Sequence, residues 1–310
     1  MTRRIVVADP WGEPGRWIEA LAALLPDAAV HGVGGETGEG ADYAVGWNPG
    51  PAFFAAHPTL RAFFATSAGV DALLGGGALP DTLPVVRIED GGMAAQMAEY
   101  CLHEAIHVQR RFHEYAAQQR AQRWRRLEVE SKAAWPVGVF GLGAIGTQVA
   151  HALANAGFPV HGYSRSPKRI DGVDCMDERH GLRAFLERTR LLVLVAPLTR
   201  DTAGLFDAER LSWLAPGAWL LNVARGGLVD EAALLAALDA GRLAGASLDV
   251  VAVEPLPPGH PFWHHRGIRL TPHVSGMTQI DESARQIARK IAALERGDPV
   301  GGLVDRRRGY

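Results

Sequence analysis

Three ionisable side chains of different types follow short apolar runs in the second half of the chain. Arg225 ends the segment NVAR, Glu254 lies in VEPLP, and His273 lies in TPHVSG. A guanidinium can bind a carboxylate, an imidazole can donate a proton near neutral pH, and a carboxylate can stabilise the resulting imidazolium. Each residue alone also fits an ordinary surface or loop position. Together they match the reduction of a 2-oxo acid, which needs a proton for its oxygen and a counter-ion for its carboxylate.

These three residues follow predicted strands of one sheet. Apolar runs alternate with helical patterns here, which favours a doubly wound parallel sheet because each parallel pair needs a crossover connection. Ligands bind outside the carboxyl ends of the strands in such sheets. We therefore expect the three side chains at one edge. The predicted strands are Val137–Phe140, Val160–Tyr163, Leu191–Ala196, Trp219–Val223, Gly245–Val250 and Ile268–Leu270.

A glycine-rich turn, GLGAIG, follows the first of these strands and opens a helical pattern. Gly141 would permit the tight turn, Gly143 would let the backbone approach a pyrophosphate, and Gly146 would allow close packing of helix on strand. The strand before and the strand after complete a βαβ unit. The turn therefore predicts a dinucleotide site, with a purely structural glycine turn as the alternative.

The segment GYSRSPK lacks the acidic residue expected at the end of the second strand. A carboxylate there would bind the 2'-hydroxyl of NAD and repel the 2'-phosphate of NADP. Ser164, Arg165, Ser166 and Lys168 instead offer hydroxyls and positive charge, which favour the 2'-phosphate. A solvated basic loop is the alternative explanation.

The N-terminal part predicts a smaller α/β unit, followed by a helix that runs without Pro or Gly from Met93 to Trp124. We predict an α/β protein of two Rossmann-like or flavodoxin-like domains with doubly wound parallel sheets and the active site in the cleft between the domains. Residues 1–92, completed by the C-terminal segment 284–310, would form the substrate-binding domain. Residues 93–283 would form the dinucleotide-binding domain.

The segment HEAIHVQRRFH spells a zinc-protease motif on the long helix. His103, Glu104 and His107 have the required spacing. The extended motif needs Gly where Arg110 stands, and an uninterrupted helix would turn His113 away from His107. We therefore predict no metal site.

The composition is that of an ordinary globular protein. The 310 residues are 47% hydrophobic, and 32 Lys and Arg against 34 Asp and Glu give a formal net charge of −2. No nucleic acid and no membrane is thus indicated as a partner. The two cysteines, Cys101 and Cys175, cannot form a disulfide framework, and a signal-peptide core is absent from the sequence. We expect a cytoplasmic protein.

The motifs GLGAIG, NVARGG, VAVEPLP and TPHVSG occur in this order, and SAGVDALL precedes them. This set resembles the D-isomer-specific 2-hydroxyacid dehydrogenases, and EPLPPGHPFW and VDRRRGY are most similar to the glyoxylate/hydroxypyruvate reductases of the A type. The resemblance implies reduction of glyoxylate to glycolate and of hydroxypyruvate to glycerate, with NADPH preferred and NADH possible. Glu254 stands where the related formate dehydrogenases carry Gln, which favours hydroxyacid chemistry.

The resemblance also implies roles for individual residues. Arg225 would orient the substrate, His273 would be the acid/base and Glu254 its partner. A homodimer would form through the long helix, with Trp124 reaching the neighbouring site. A non-catalytic, dinucleotide-sensing dimer on the same fold is the alternative. The implied substrate-binding residues are Trp47, Ala68, Gly69, Val70 and Arg225, and the implied cofactor-binding residues are Gly141, Gly143, Ala144, Ile145, Gly146, Ser164, Arg165, Ser166, Lys168, Ala196, Pro197, Leu198, Thr202, Val223, Ala224, Asp249, His273 and Gly276.

Overall fold

The computed structural model describes residues 2–8, 14–35, 40–77 and 79–310. The chain divides into two compact units. The first comprises Met1–Met93 with Met277–Tyr310, and the second comprises Ala94–Gly276. No helix in the described ranges is both long enough and apolar enough to cross a membrane.

The first unit contains a parallel sheet whose described strands lie in the order β2-β1-β3-β4-β5. Its central strands are apolar and buried along their whole length, as expected for a sheet covered on both faces. Its strands are β1 (Arg3–Ala8), β2 (Ala28–Gly32), β3 (Tyr43–Gly46), β4 (Ala62–Ala65) and β5 (Val85–Arg87), and its helices are α1 (Pro14–Leu24), α2 (Pro51–Ala56), α3 (Asp71–Gly75) and, from the end of the chain, α10 (Ile280–Arg296).

Residues 277–283 belong to the first unit, whereas the sequence placed them with the second. Thr278 Oγ1 donates to the carbonyl of Thr66 at 3.2 Å, and the amide of Gln279 donates to the carbonyl of Gly91 at 3.1 Å. These local bonds anchor the start of α10. No residue type in the segment signals them.

The second unit contains a larger parallel sheet, with the described strands in the order β12-β11-β10-β9-β6-β7-β8. The chain runs outward from β6 to β8 and then returns to the other side of β6. The carboxyl ends of β6 and β9 therefore flank a topological switch point. The strands are β6 (Val137–Phe140), β7 (Val160–Tyr163), β8 (Asp174–Met176), β9 (Leu191–Leu194), β10 (Ala218–Asn222), β11 (Leu243–Leu248) and β12 (Ile268–Leu270).

Helices of the second unit precede the sheet or connect its strands. They are α4 (Met93–Gln109), α5 (Phe112–Arg120), α6 (Ala144–Asn155), α7 (Leu182–Glu187), α8 (Ala208–Ser212) and α9 (Glu231–Asp239). The core beneath them includes Phe140, Phe185 and Phe206, with Phe140 and Phe206 edge to face at 5.1 Å. Two doubly wound α/β units confirm the predicted fold class.

The prediction of one uninterrupted helix from Met93 to Trp124 is wrong. α4 ends at Gln109 and α5 begins at Phe112, because Arg111 adopts a left-handed conformation with φ 57°. The guanidinium of Arg111 donates to both carboxylate oxygens of Glu114, at 2.6 and 2.9 Å. This ion pair lies at the break, where the left-handed residue is usually a glycine.

Candidate active site

The three glycines of the glycine turn differ in the space around them. Gly141 has φ +107°, and a Cβ on it would lie 2.7 Å from the amide nitrogen of Ala196. A Cβ on Gly146 would lie 1.8 Å from the carbonyl oxygen of Gly141. A Cβ on Gly143 would meet no heavy atom within 4 Å. Gly141 and Gly146 are thus required by the protein itself, whereas the space beside Gly143 is open to a ligand.

This turn fits the pyrophosphate of a dinucleotide. Gly143 is the N-cap of α6, and Ala144 and Ile145 begin the first helical turn. A helix N-terminus offers unpaired amides and the positive end of the helix dipole to an anion. The open side of Gly143 lets such an anion approach these amides.

The basic segment after β7 lies beside the glycine turn, since β6 and β7 are neighbours in the sheet. Ser164 Oγ donates to the carbonyl of Ser166 at 2.7 Å, so this segment forms a tight turn. Arg165 and Lys168 are exposed, and the guanidinium of Arg165 lies 3.5 Å from the carboxylate of Asp201. The hydroxyls and the cations of this segment thus lie together. The carboxylate of Asp201, which no motif indicated, lies close to them.

The segment after β9 borders the other side of the switch point. Thr202 Oγ1 donates to the carbonyl of Pro197 at 2.7 Å and accepts the amide of Thr199 at 2.8 Å. Ala196 is buried against the glycine turn, and Leu198 packs on the core. These bonds fix the turn that follows Ala196 at the predicted cofactor edge.

Arg225 follows β10 on a loop that Asn222 organises. The side-chain amide of Asn222 donates to the carbonyl of Arg225 at 2.9 Å and accepts the amide of Ala224 at 3.1 Å. The half-buried Arg225 also donates from Nη1 to the carbonyl of Ala224 at 2.8 Å. A Cβ on Gly226 would lie 1.9 Å from the carbonyl carbon of Val251, so the loops after β10 and β11 are in direct contact.

His273 and Glu254, which the sequence predicted to be partners, are in contact in the structure. His273 Nδ1 lies 2.8 Å from Glu254 Oε2, while Glu254 Oε1 accepts the amide of Val251 at 3.2 Å. The carboxylate is therefore fixed by its own loop. Because Nδ1 faces Glu254, Nε2 is the ring nitrogen that can serve a substrate. Both side chains remain partly exposed.

Asp249 lies behind this pair and is almost fully buried. Its Oδ1 accepts Thr271 Oγ1 at 2.6 Å and the amide of Val274 at 2.9 Å, and its Oδ2 accepts the amide of Ser275 at 2.9 Å. The backbone carbonyl of Asp249 accepts the amide of His273 at 2.8 Å. Asp249 thus holds the segment that carries His273 and ends at Gly276.

The predicted substrate loop lies in the first unit, between β4 and α3. Ser67 Oγ donates to the carbonyl of Gly69 at 2.7 Å, and Arg87 Nη1 donates to the carbonyl of Ala68 at 3.3 Å. Val70 is buried at the start of α3, and Trp47 is exposed after β3. Arg87 was not predicted, because it belongs to no motif.

The zinc motif is built into the packing of the second unit. Glu104 is buried and accepts hydrogen bonds from Ser247 and from Arg269, at 2.6 and 3.1 Å. Burial would raise the pKa of Glu104, but these hydrogen bonds hold it below its usual value. Since the helix breaks, His107 and His113 lie close, with ring centroids 5.9 Å apart, and the predicted separation of these two rings is wrong. No group of metal-binding side chains occurs within the described residues.

The predicted residues of the second unit come together at one edge of its sheet. The carboxyl ends of its strands are followed by the glycine turn, the basic segment, the Thr202 turn, Arg225, Glu254 and His273. Asn222, Thr271 and Tyr100, whose side chains hydrogen-bond to or beside these loops, were not predicted. Asn222 stands directly before Val223 and Thr271 stands two positions before His273, and that proximity was the available signal.

Comparison with known proteins found a matching family and relatives that are similar along the whole chain. The model of the D-isomer specific 2-hydroxyacid dehydrogenase NAD binding domain matches residues 102–275. The chain is 42% identical over 311 residues, covering 99% of each protein, to glyoxylate/hydroxypyruvate reductase A of Salmonella heidelberg.

Two solved structures are similar along the whole chain. A D-isomer specific 2-hydroxyacid dehydrogenase from Xanthobacter autotrophicus Py2, in complex with NADPH and MES, is 40% identical with a TM-score of 0.95, covering 100% of both chains. An NADPH-dependent glyoxylate/hydroxypyruvate reductase from Sinorhizobium meliloti, in complex with NADP and sulfate, is 35% identical with a TM-score of 0.92, covering 99% of this chain and 100% of that chain. As its ordered motifs predicted, the chain belongs to the D-isomer specific 2-hydroxyacid dehydrogenases, a family of NAD(P)-dependent oxidoreductases.

Proposed function

We propose that the protein reduces small 2-oxo acids, namely glyoxylate to glycolate and hydroxypyruvate to glycerate, with NADPH. The observation that carries this proposal is the contact of 2.8 Å between His273 Nδ1 and Glu254 Oε2 at the edge that also holds the glycine turn. The similarity to reductases named for these two substrates supports the substrate class.

When bound, the dinucleotide would supply the hydride for C2 of the oxo acid. His273 donates a proton from Nε2 to the substrate oxygen, while Glu254 stabilises the imidazolium and holds the ring through Nδ1. Arg225 binds the substrate carboxylate as a charge-assisted, bidentate partner. Proton and hydride together convert the carbonyl to a hydroxyl.

The backbone of Ala68, Gly69 and Val70 is also proposed to bind a substrate carboxylate, with Trp47 limiting the size of the substrate. Ser67 and Arg87 support this role, because their hydrogen bonds to loop carbonyls fix the loop. Rigid loops that bind through amides lose little entropy when the ligand arrives.

NADPH is the proposed donor, held by the residues that the resemblance implied. Ser164, Arg165, Ser166 and Lys168 bind the 2'-phosphate, since hydroxyls and cations suit a dianion. Asp249 is proposed to bond the nicotinamide carboxamide. Val223, Ala224 and the turn from Ala196 to Thr202 border the rest of the cofactor, as does Gly276.

Steady-state kinetics with glyoxylate and hydroxypyruvate test the reaction. His273→Ala and Arg225→Ala should each lower kcat/KM at least about 100-fold, the scale of general acid catalysis, while the Kd for NADPH stays within about twofold. His264→Ala is the matched control, because His264 is exposed and outside the site. Full turnover by either site variant would refute the assignment. If the wild-type protein binds NADPH but reduces no 2-oxo acid, the dinucleotide-sensing alternative is favoured.

Comparison of NADPH with NADH tests the cofactor. We expect higher kcat/KM with NADPH, and Arg165→Ala should lower that preference by raising the KM for NADPH alone. An equal or better kcat/KM with NADH would show that the basic segment does not select the phosphate.

A homodimer in the cytoplasm is the proposed state of the protein. Trp124 is fully exposed on the segment after α5, which suits a contact with a second copy. Light scattering should give twice the chain mass of 33.3 kDa. A monomeric Trp124→Ala variant would support the contact, whereas a monomeric wild-type protein would rule it out.

A further inference from the structure

A chain of side-chain hydrogen bonds leads from helix α4 to Asp249. Tyr100 OH lies 2.7 Å from Thr271 Oγ1, and Thr271 Oγ1 lies 2.6 Å from Asp249 Oδ1. Thr271 has one hydroxyl proton and gives it to the carboxylate, which can only accept. Tyr100 must therefore donate to Thr271. Burial raises the pKa of Tyr100 to about 12, so this proton stays in place at neutral pH.

Asp249 in turn forms hydrogen bonds with the segment after β12. Its two carboxylate oxygens accept the amides of Val274 and Ser275, and its own carbonyl accepts the amide of His273. Three consecutive amides are thus held by one residue. The side chain that holds two of them is oriented by Thr271 and, through it, by Tyr100.

His273 needs such a constraint because its backbone is unfavourable. Its φ is +56°, in the left-handed region that residues other than glycine rarely adopt. Such conformations persist where surrounding bonds over-determine them, and they cluster at functional sites. The same conformation places Nδ1 of His273 against Glu254.

We propose that Tyr100 is a positioning residue whose hydroxyl, acting through Thr271 and Asp249, holds the His273 segment in the conformation that transfers the proton. Its catalytic consequence rests on the proposed function. Tyr100 lies on a helix that precedes the sheet and is separated from Thr271 by 171 positions in sequence, so it belongs to no active-site motif.

The variant Tyr100→Phe removes only the hydroxyl. We expect kcat for glyoxylate to fall about 3- to 10-fold, the scale of one hydrogen bond, with the KM for glyoxylate within about twofold. The control is Tyr43→Phe in the first unit, because Tyr43 OH is buried without a hydrogen-bond partner. This control should keep the wild-type kcat. An unchanged kcat in Tyr100→Phe would overturn the catalytic part of the proposal.

Thr271 variants test whether Tyr100 acts through Thr271. Thr271→Val removes the hydroxyl and should lower kcat at least as much as Tyr100→Phe, whereas Thr271→Ser keeps the hydroxyl and should restore most of it. In the Thr271→Val background, Tyr100→Phe should cause no further loss. Two losses that multiply would mean that the residues act independently, which contradicts the proposed chain.

Hydrogen exchange of the amides in residues 271–276 tests the positioning without turnover. Exchange at Val274 and Ser275 should quicken about 3- to 10-fold in Tyr100→Phe and stay unchanged in Tyr43→Phe. Unchanged exchange in Tyr100→Phe would overturn the proposal whether or not the enzyme is active. Quickened exchange in a protein that reduces no 2-oxo acid would uphold the positioning and reject the proposed function instead.

Discussion

Substitution by alanine should weaken dinucleotide binding at Gly143, the N-cap of α6, and protein stability at Gly146, in its first turn. Gly143 has extended backbone angles that alanine adopts readily, and a Cβ there meets nothing within 4 Å. Loss of a good N-cap costs about 1 kcal/mol, and the reduced freedom of the unfolded chain offsets about 0.4–1 kcal/mol. Gly143→Ala should therefore change the free energy of unfolding by less than about 1 kcal/mol.

Dinucleotide binding should nevertheless weaken in Gly143→Ala. The added methyl group occupies the side from which a pyrophosphate approaches the helix amides. Loss of one hydrogen bond to a charged group costs about 1.5–3 kcal/mol, which is roughly a 10- to 100-fold rise in Kd. Gly146→Ala differs, because its Cβ would lie 1.8 Å from the Gly141 carbonyl oxygen. The backbone must shift, and we expect a loss of about 3 kcal/mol in the free energy of unfolding.

Urea unfolding without cofactor and fluorescence titration with NADPH separate the two effects. Gly143→Ala should unfold at nearly the wild-type urea concentration and bind NADPH poorly. Gly146→Ala should unfold at a clearly lower concentration. Wild-type affinity in Gly143→Ala would refute the assignment of this open side to the pyrophosphate. A marked loss of stability in the same variant would show that the space beside Gly143 serves the fold.

Three further substitutions test the charges of the second unit. Burial lowers the pKa of His161 from 6.5 to about 4 in the folded protein. As the pH falls from 6.5 to 4, the unfolded chain therefore takes up a proton before the folded one, and the free energy of unfolding should fall by up to about 3 kcal/mol. His161→Gln should flatten that part of the stability profile, and an unchanged slope would disprove the lowered pKa of His161. Asp201→Asn removes an exposed ion pair with Arg165 that is worth up to about 1 kcal/mol. The KM for NADPH should therefore fall up to about fivefold, whereas the KM for NADH should stay unchanged and serves as the control. Glu254→Gln keeps an acceptor beside His273 but removes the charge and should lower kcat about 10- to 100-fold, and a wild-type kcat would exclude stabilisation of the imidazolium.

The central strands of the parallel sheets could be predicted because they are buried on both faces and leave a direct record in the sequence. β9 is LLVL and is buried throughout, as is β6 with VGVF. Once the strands are known, crossover connections make them parallel, and the residues after them must gather at one edge. The gathering of Arg225, Glu254 and His273 in the candidate site follows from the same topology.

Features that depend on particular side-chain contacts could not be predicted in this way. The left-handed conformation of His273 occurs beside hydrogen bonds to Asp249, and that of Arg111 occurs beside an ion pair with Glu114. Neither position carries glycine, the residue type that normally marks such a conformation. A rule based on residue types therefore extends the helix through Arg111 and leaves the backbone of His273 unspecified.

The zinc-protease motif shows that residues with the spacing of a catalytic site can instead stabilise the packing of the fold. Glu104 has the spacing of a catalytic base, yet its partner Arg269 lies on β12, 165 positions away. A buried carboxylate is tolerated only with such a partner, because an unpaired buried charge costs several kcal/mol. Arg269 donates to both oxygens of Glu104 and Ser247 donates to one of them, so this carboxylate is the centre of a buried structural ion pair. The residue that decides the function of the motif thus lies outside it, and Glu104 serves to bind α4 to the edge of the sheet.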